Sequence, residues 1–110
     1  FFDHATETKL MNSILSHCDV TRWNPKFADI IAKGNSKQVG IDKVLEYYNI
    51  PLSDCMSFGD GGNDIPMLKH TPISVAMGNA EDNVKACATH VTTSVDDNGI
   101  WNMLKELKVI

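Results

Sequence analysis

The chain has few cysteines, only Cys18, Cys55 and Cys87 in 110 residues, far apart and with no Cys-x-x-Cys pair. An odd number at such spacing gives neither a disulfide framework nor a zinc ribbon, and reduced, buried thiols are expected. His4, His17, His70 and His90 likewise show no metal-ligand spacing. There is no run of Lys or Arg, and the formal net charge is −4. A nucleic-acid surface needs a basic stripe, so no nucleic-acid partner is expected. No stretch reaches the roughly 18 apolar residues of a membrane span, so no membrane partner is expected either. Phe1-Phe2-Asp3-His4 has no basic n-region and no apolar core behind it, and the chain has no initiator Met. That start does not suit a signal peptide. The expectation is a cytoplasmic fragment of a longer protein. Internal repeats and low-complexity segments are also missing. What is present is ordinary: 43% hydrophobic residues, enough for the core of about one small domain.

The informative stretch is Ser57-Phe58-Gly59-Asp60-Gly61-Gly62-Asn63-Asp64, with two carboxylates, an amide and three glycines in eight residues. Cys55-Met56-Ser57-Phe58 before it is a short apolar run that reads as a buried strand. Ile65-Pro66-Met67-Leu68-Lys69 after it reads as a short helix. Strand, polar loop and helix is the arrangement in which α/β proteins place ligands beyond the carboxyl end of a strand. Glycines let backbone approach a ligand closely. Asp60 and Asp64 are oxygen ligands of the kind Mg²⁺ requires. Asn63 adds a neutral donor that can touch a bound anion. Asp60-Gly61 alone would suit a hairpin turn. Against that, the segment that follows is not an alternating strand, and a second Asp-bearing turn comes at once.

The rest of the chain alternates around this loop. Ala5 to Cys18, with Leu10, Met11, Ile14 and Leu15, suits an amphipathic helix, and Asp3 is a possible cap. Residues 19–23 and 27–32 read as an antiparallel strand pair broken at Asn24-Pro25-Lys26. Arg22 and Trp23 could face a sugar, although an aromatic on a strand usually packs against a neighbour. Lys33-Gly34-Asn35-Ser36-Lys37 is a polar hinge. Ser36 is placed to cap a helix from Lys37 to about Tyr48, with Val39, Ile41, Val44, Leu45 and Tyr48 on one face. Lys37 opposes the dipole of that helix, so stability does not explain it. Asn49 and Pro51 end the helix. Strand 55–58, helix 64–70, strand 73–76, helix 80–88, a small strand at 90–92 and a closing helix 100–107 follow. In the last helix Trp101, Leu104 and Leu107 lie on one side. If the strands are parallel, the Gly78-Asn79 turn lies on the same side as Asp60. Such alternation gives a parallel sheet covered by helices.

Gly59-Asp60-Gly61-Gly62-Asn63-Asp64-Ile65-Pro66-Met67-Leu68 resembles the fourth signature of the haloacid dehalogenase (HAD) superfamily of phosphohydrolases. Ile73-Ser74-Val75-Ala76-Met77-Gly78-Asn79-Ala80 is similar to the Cof-type sugar-phosphatase branch. The resemblance implies an α/β fold, the C-terminal half of a Rossmann-like three-layer α/β/α core. Residues 33–110 would form that half, and residues 1–32 the end of an α/β cap domain. It implies hydrolysis of phosphomonoesters through an aspartyl-phosphate, with Mg²⁺ as cofactor and sugar phosphates or similar small phosphorylated metabolites as substrates. Asp60 would ligate the cation, with Asp64 as a second or occasional ligand. Asn63 would donate to the phosphate. Lys37, thirteen residues before Ile50, matches the family's phosphate-binding lysine. Lys33 is the second candidate for that role.

The departure from the pattern is as informative as the match. The family's nucleophile lies in an Asp-x-Asp run after an apolar strand, and this chain contains none; Asp96-Asp97 sits in a turn. Residues 1–110 alone are therefore expected to be inactive. The strand at 55–58 would lack its usual neighbour. The expected partner is the missing N-terminal half of the same protein, or a second copy along that open edge. Two other readings are a non-catalytic metal- or phosphate-binding regulatory module and the phosphorylation domain of a P-type ion pump. The pump would need membrane helices soon after this region, and the chain ends instead on an amphipathic helix.

Overall fold

The computed structural model describes residues 3–13, 16–24 and 26–110, the side chains of residues 22–24 aside. The expected apolar positions Ile14 and Leu15, the Pro25 break, and the side chains of Arg22 and Trp23 lie outside the described residues. The chain divides into two units, Phe1–Asn35 and Ser36–Ile110, and the division falls within the polar hinge.

The first unit opens with α1 (His4–Ser13), where Asp3 Oδ1 accepts the Thr6 N–H at 2.7 Å as the expected cap. This helix stops short of the predicted Cys18, because Cys18 already pairs with Ala32 in a sheet. Strands β1 (Cys18–Asn24) and β2 (Phe27–Ala32) run antiparallel, with a register shift between Arg22 and Asn24. Gly34 follows with φ +79°, a conformation that side chains rarely adopt.

The second unit alternates helix and strand throughout. Ser36 Oγ accepts the Val39 N–H at 3.2 Å and starts α2 (Lys37–Tyr48). Asn49, with φ 56°, ends it in the left-handed conformation. Strands β3 (Met56–Gly59), β4 (Ile73–Ala76) and β5 (His90–Val91) form a parallel sheet in the order β3-β4-β5. Between and after them run α3 (Ile65–His70), α4 (Asp82–Lys85) and α5 (Gly99–Glu106). This is the expected α/β fold, a parallel sheet with helices. Among the described residues β4 is the one strand paired with β3, so β3 forms an edge.

The central strand carries the core. Ser74, Val75 and Ala76 are all buried, as are Leu68, Met77, Ala80, Val84 and Met103. Buried Ser74 is satisfied through Thr89. Its N–H donates to Thr89 Oγ1 (3.0 Å), its Oγ accepts the Thr89 N–H (3.1 Å), and its carbonyl accepts the Thr89 hydroxyl (2.8 Å). That exchange extends the short β4–β5 ladder and removes the penalty of buried polar atoms.

Three local expectations are corrected. The helix expected over 80–88 reduces to one turn, Asp82–Lys85, with only Val84 inward. On α2, Val44 and Tyr48 are exposed rather than packed, and no residue of that helix is fully buried. On α5 the inward residue is Met103, whereas Trp101 is 56% exposed and lies beneath the Lys105 ammonium, 5.5 Å from its ring centroid. Periodicity marks a helix but leaves its rotation open when large residues occur on two sides.

These burials separate two substitutions. Leu68 is 1% exposed and packs with Ala80 and Val84. Leu68→Ala is expected to cost about 2–5 kcal/mol in urea denaturation. Trp101→Ala should cost no more than about 1 kcal/mol, the worth of an exposed cation–π contact.

Candidate active site

The site lies at the carboxyl ends of β3 and β4, where Gly59 pairs with Ala76 and the Gly59 carbonyl accepts the Met77 N–H at 2.9 Å. The two loops leaving these strands are therefore level with each other. The first turns through a 3₁₀ turn, Gly62–Asp64, into α3. The loop closes on the carboxylate of Asp64, a residue 5% exposed. Its Oδ2 accepts the N–H groups of Asp60 (3.0 Å) and Gly61 (3.1 Å). Its Oδ1 is ion-paired with Lys37 Nζ. Gly59 makes this possible, because a Cβ there would stand 2.7 Å from Asp64 Cβ.

Burial disfavours the charge on Asp64, but the Lys37 ammonium and the Gly61 and Asp60 N–H groups outweigh it. Together they hold the carboxyl below its ordinary value. Lys37 is the first residue of α2, half-exposed, at the helix end where a cation is unfavourable. Its bond to Asp64 offsets that cost. A second tie steadies the same helix: His70 Nε2 of α3 meets Asp42 Oδ1 of α2 at 2.5 Å.

Asp60 differs from Asp64. It is exposed, and its Oδ2 accepts a hydrogen bond from Asn79 Nδ2 at 3.2 Å. Among the described residues its Oδ1 has no partner. Asn79 Oδ1 in turn accepts the Val95 N–H at 3.0 Å. Lys37, Asp60 and Asp64 line one hollow of about 380 Å³, whose apolar wall includes Phe58, Met77 and Val95. Asn63 is half-buried in the 3₁₀ turn and is not among the residues lining that hollow. Lys33 belongs to the first unit, where its Nζ reaches the Ser16 carbonyl at 3.5 Å.

So three of the four expected site residues share a hollow, and Lys37 meets the loop through Asp64. The residue types fit a hard cation: oxygen donors, one of them exposed with a free oxygen. Among the described residues no three His, Cys, Asp or Glu side chains converge. Asn79 was not singled out from the sequence. The available signal was the Gly78-Asn79 turn after a strand parallel to β3, which places that amide beside Asp60.

The haloacid dehalogenase-like hydrolase family model matches residues 1–104, and the chain belongs to that family. It is 44% identical over 89 residues to a protein encoded in the pdhA 5′ region of Geobacillus stearothermophilus, covering 81% of this chain and 94% of that one. It is 38% identical over 90 residues to the 5-amino-6-(5-phospho-D-ribitylamino)uracil phosphatase YitU of Bacillus subtilis, covering 80% of this chain and 33% of the phosphatase. The solved structure of a HAD subclass IIB sugar phosphatase matches all of this chain with a TM-score of 0.87 at 46% identity, across 42% of its own length. The chain thus spans less than half of both phosphatases.

Asp64→Asn tests what holds the loop. At neutral pH the variant should lose about 1.5–3 kcal/mol, the worth of hydrogen bonds to a charged group. Because the folded-state value lies below the unfolded one, that stability is present above the ordinary carboxyl range. It is lost as pH falls through the depressed value. Thermal melts of wild type and variant should therefore differ at pH 7 and converge in strong acid.

Proposed function

We propose that the full-length protein is an Mg²⁺-dependent phosphatase that hydrolyses sugar phosphates or similar small phosphorylated metabolites through an aspartyl-phosphate. The observation that carries this reading is the Asp64 carboxylate, which joins the Lys37 ammonium to the Asp60 loop inside one hollow. Family membership supports phosphatase chemistry, and likeness to a sugar phosphatase supports the substrate class.

In this reading Asp60 holds the cation through its free oxygen. Asp64, with both oxygens engaged, orders the loop and contributes to the cation at most on occasion. Lys37 meets the phosphate and offsets its charge. The family pattern gives Asn63 a donor role toward the same group, although Asn63 does not line the hollow. When bound, the cation supplies charge neutralisation for the transferring phosphoryl group. The attacking carboxylate lies on a segment of the protein other than residues 1–110. That segment would add its strand along the free edge of β3, and the first unit, with its helix and antiparallel pair, would be the closing part of a cap.

Three measurements test the proposal. The full-length protein should release phosphate from a panel of sugar phosphates, and EDTA should abolish that release. Lys37→Ala should lower kcat about 100-fold or more, some 3 kcal/mol, as expected when a fixed charge-stabilising donor is removed. Residues 1–110 alone should give no turnover. Turnover by that piece, abolished in Asp60→Asn, would overturn the assignment of the nucleophile. No turnover by the full-length protein on any phosphate ester, with Mg²⁺ still bound, would favour a binding module over an enzyme.

A further inference from the structure

We propose that Asn79 is a positioning residue for the cation: its side-chain amide locks the Asp60 carboxylate in the orientation that leaves one oxygen open to the metal. The inference rests on the proposed role of Asp60. Its own basis is the two-ended hydrogen bonding of Asn79. The Val95 N–H can only donate, so the amide oxygen must face it (3.0 Å). The amide NH₂ must then face Asp60, where it donates to Oδ2 at 3.2 Å. The direction of this amide is fixed by a backbone donor rather than left to choice.

The consequence is specific. Asp60 Oδ2 is committed to Asn79, and the carboxylate presents Oδ1 alone. An amide serves this purpose better than a cationic side chain. It orders the carboxylate without cancelling the charge that attracts the metal. Loss of the rotational freedom of Asp60 before the ion arrives is preorganisation, which raises affinity by lowering the ordering cost on binding. Partners that orient a metal ligand are commonly worth 10-fold or more in metal affinity.

Val95 offers a test that leaves Asn79 in place. It is the first residue of a 3₁₀ turn, Val95–Asp97, behind the cap Ser94 at φ −61°, ψ 160°. Proline is tolerated at a first helical position, and the backbone of Ser94 is one that a following proline accepts. Val95→Pro therefore removes the N–H that orients the amide while keeping the local fold.

The experiment is calorimetric titration of the full-length protein with Mg²⁺ alone, with no substrate, alongside thermal melts in EDTA. Asn79→Ala is expected to raise the Mg²⁺ Kd about 10-fold. Val95→Pro should raise it by a smaller factor. Both should melt in EDTA within a few degrees of wild type, which a purely structural role would not predict. If Asp60→Asn leaves Mg²⁺ binding unchanged, the proposed function itself fails. If Asp60→Asn abolishes binding but Asn79→Ala leaves the Kd unchanged, the positioning role of Asn79 alone is overturned. If the two Asn79-linked variants melt far below wild type in EDTA, with Kd unchanged in what remains folded, the amide is a fold anchor and the proposal is again overturned.

Discussion

The Asp64 carboxylate is the constraint on which the site depends. A buried charge is costly unless it is paired and hydrogen-bonded, and this one has both kinds of partner. Two backbone N–H groups of its own loop take one oxygen and the Lys37 ammonium takes the other. Each partner needs the carboxylate in return. The N–H groups of Asp60 and Gly61 lie in a tight turn with no strand to receive them. The ammonium sits at the end of α2 where the helix dipole repels it. One side chain resolves all of these at once. The result is a closed loop in which Asp64 turns inward and Asp60, four residues earlier, turns outward to solvent. Two identical carboxylates thus receive different environments from one short segment.

The parallel sheet extends this order sideways. Because Gly59 pairs with Ala76, both strands end at the same height, and the bond from Met77 N–H to the Gly59 carbonyl carries the ladder into the loops. That leaves the Gly78-Asn79 turn level with Asp60, and Asn79 joins the β4 loop to the β3 loop on one side and to Val95 on the other. Behind the site, the His70–Asp42 contact ties α3 to α2, so the helix bearing Lys37 and the helix following Asp64 are held at two points. A site built from three separate segments is in this way fixed by side-chain bonds of short reach.

How much of this was legible in the sequence follows from how few conformations each residue type permits. Ser36 and Asn49 bound α2 because capping and left-handed turns restrict the choice of side chain, and both are found as expected. Gly59 admits only hydrogen beside Asp64, so the glycine-rich loop announced itself. The order of elements was legible for the same reason, since proline and glycine punctuate the chain at their ends. What was not legible depends on tertiary partners. The rotation of α5 is set by what packs on Met103, and nothing local distinguishes Met103 from Trp101. The short α4 has Val84 as its single buried residue, and Ala88 beyond its end packs on the same cluster. Asn79 lies in the Ile73–Ala80 run that carries the family resemblance, but its contact with Asp60 depends on strand register, which the sequence does not print.

The charges in the hollow limit what can enter it. Two carboxylates and one ammonium leave an excess of one negative charge among its lining residues, and residues 1–110 are acidic, with a formal net charge of −4. Burial is outweighed by the Lys37 ammonium and the loop N–H groups, which hold the Asp64 carboxyl below its ordinary value. Lys37 spends part of its positive field on that same carboxylate. A phosphate ester dianion approaching the residues of this chain alone would therefore meet net repulsion, and repulsion between fixed charges a few ångströms apart at a partly dry surface is worth kilocalories rather than tenths. In the proposed reading, a divalent ion at the exposed oxygen of Asp60 would offset that excess and reverse the local sign.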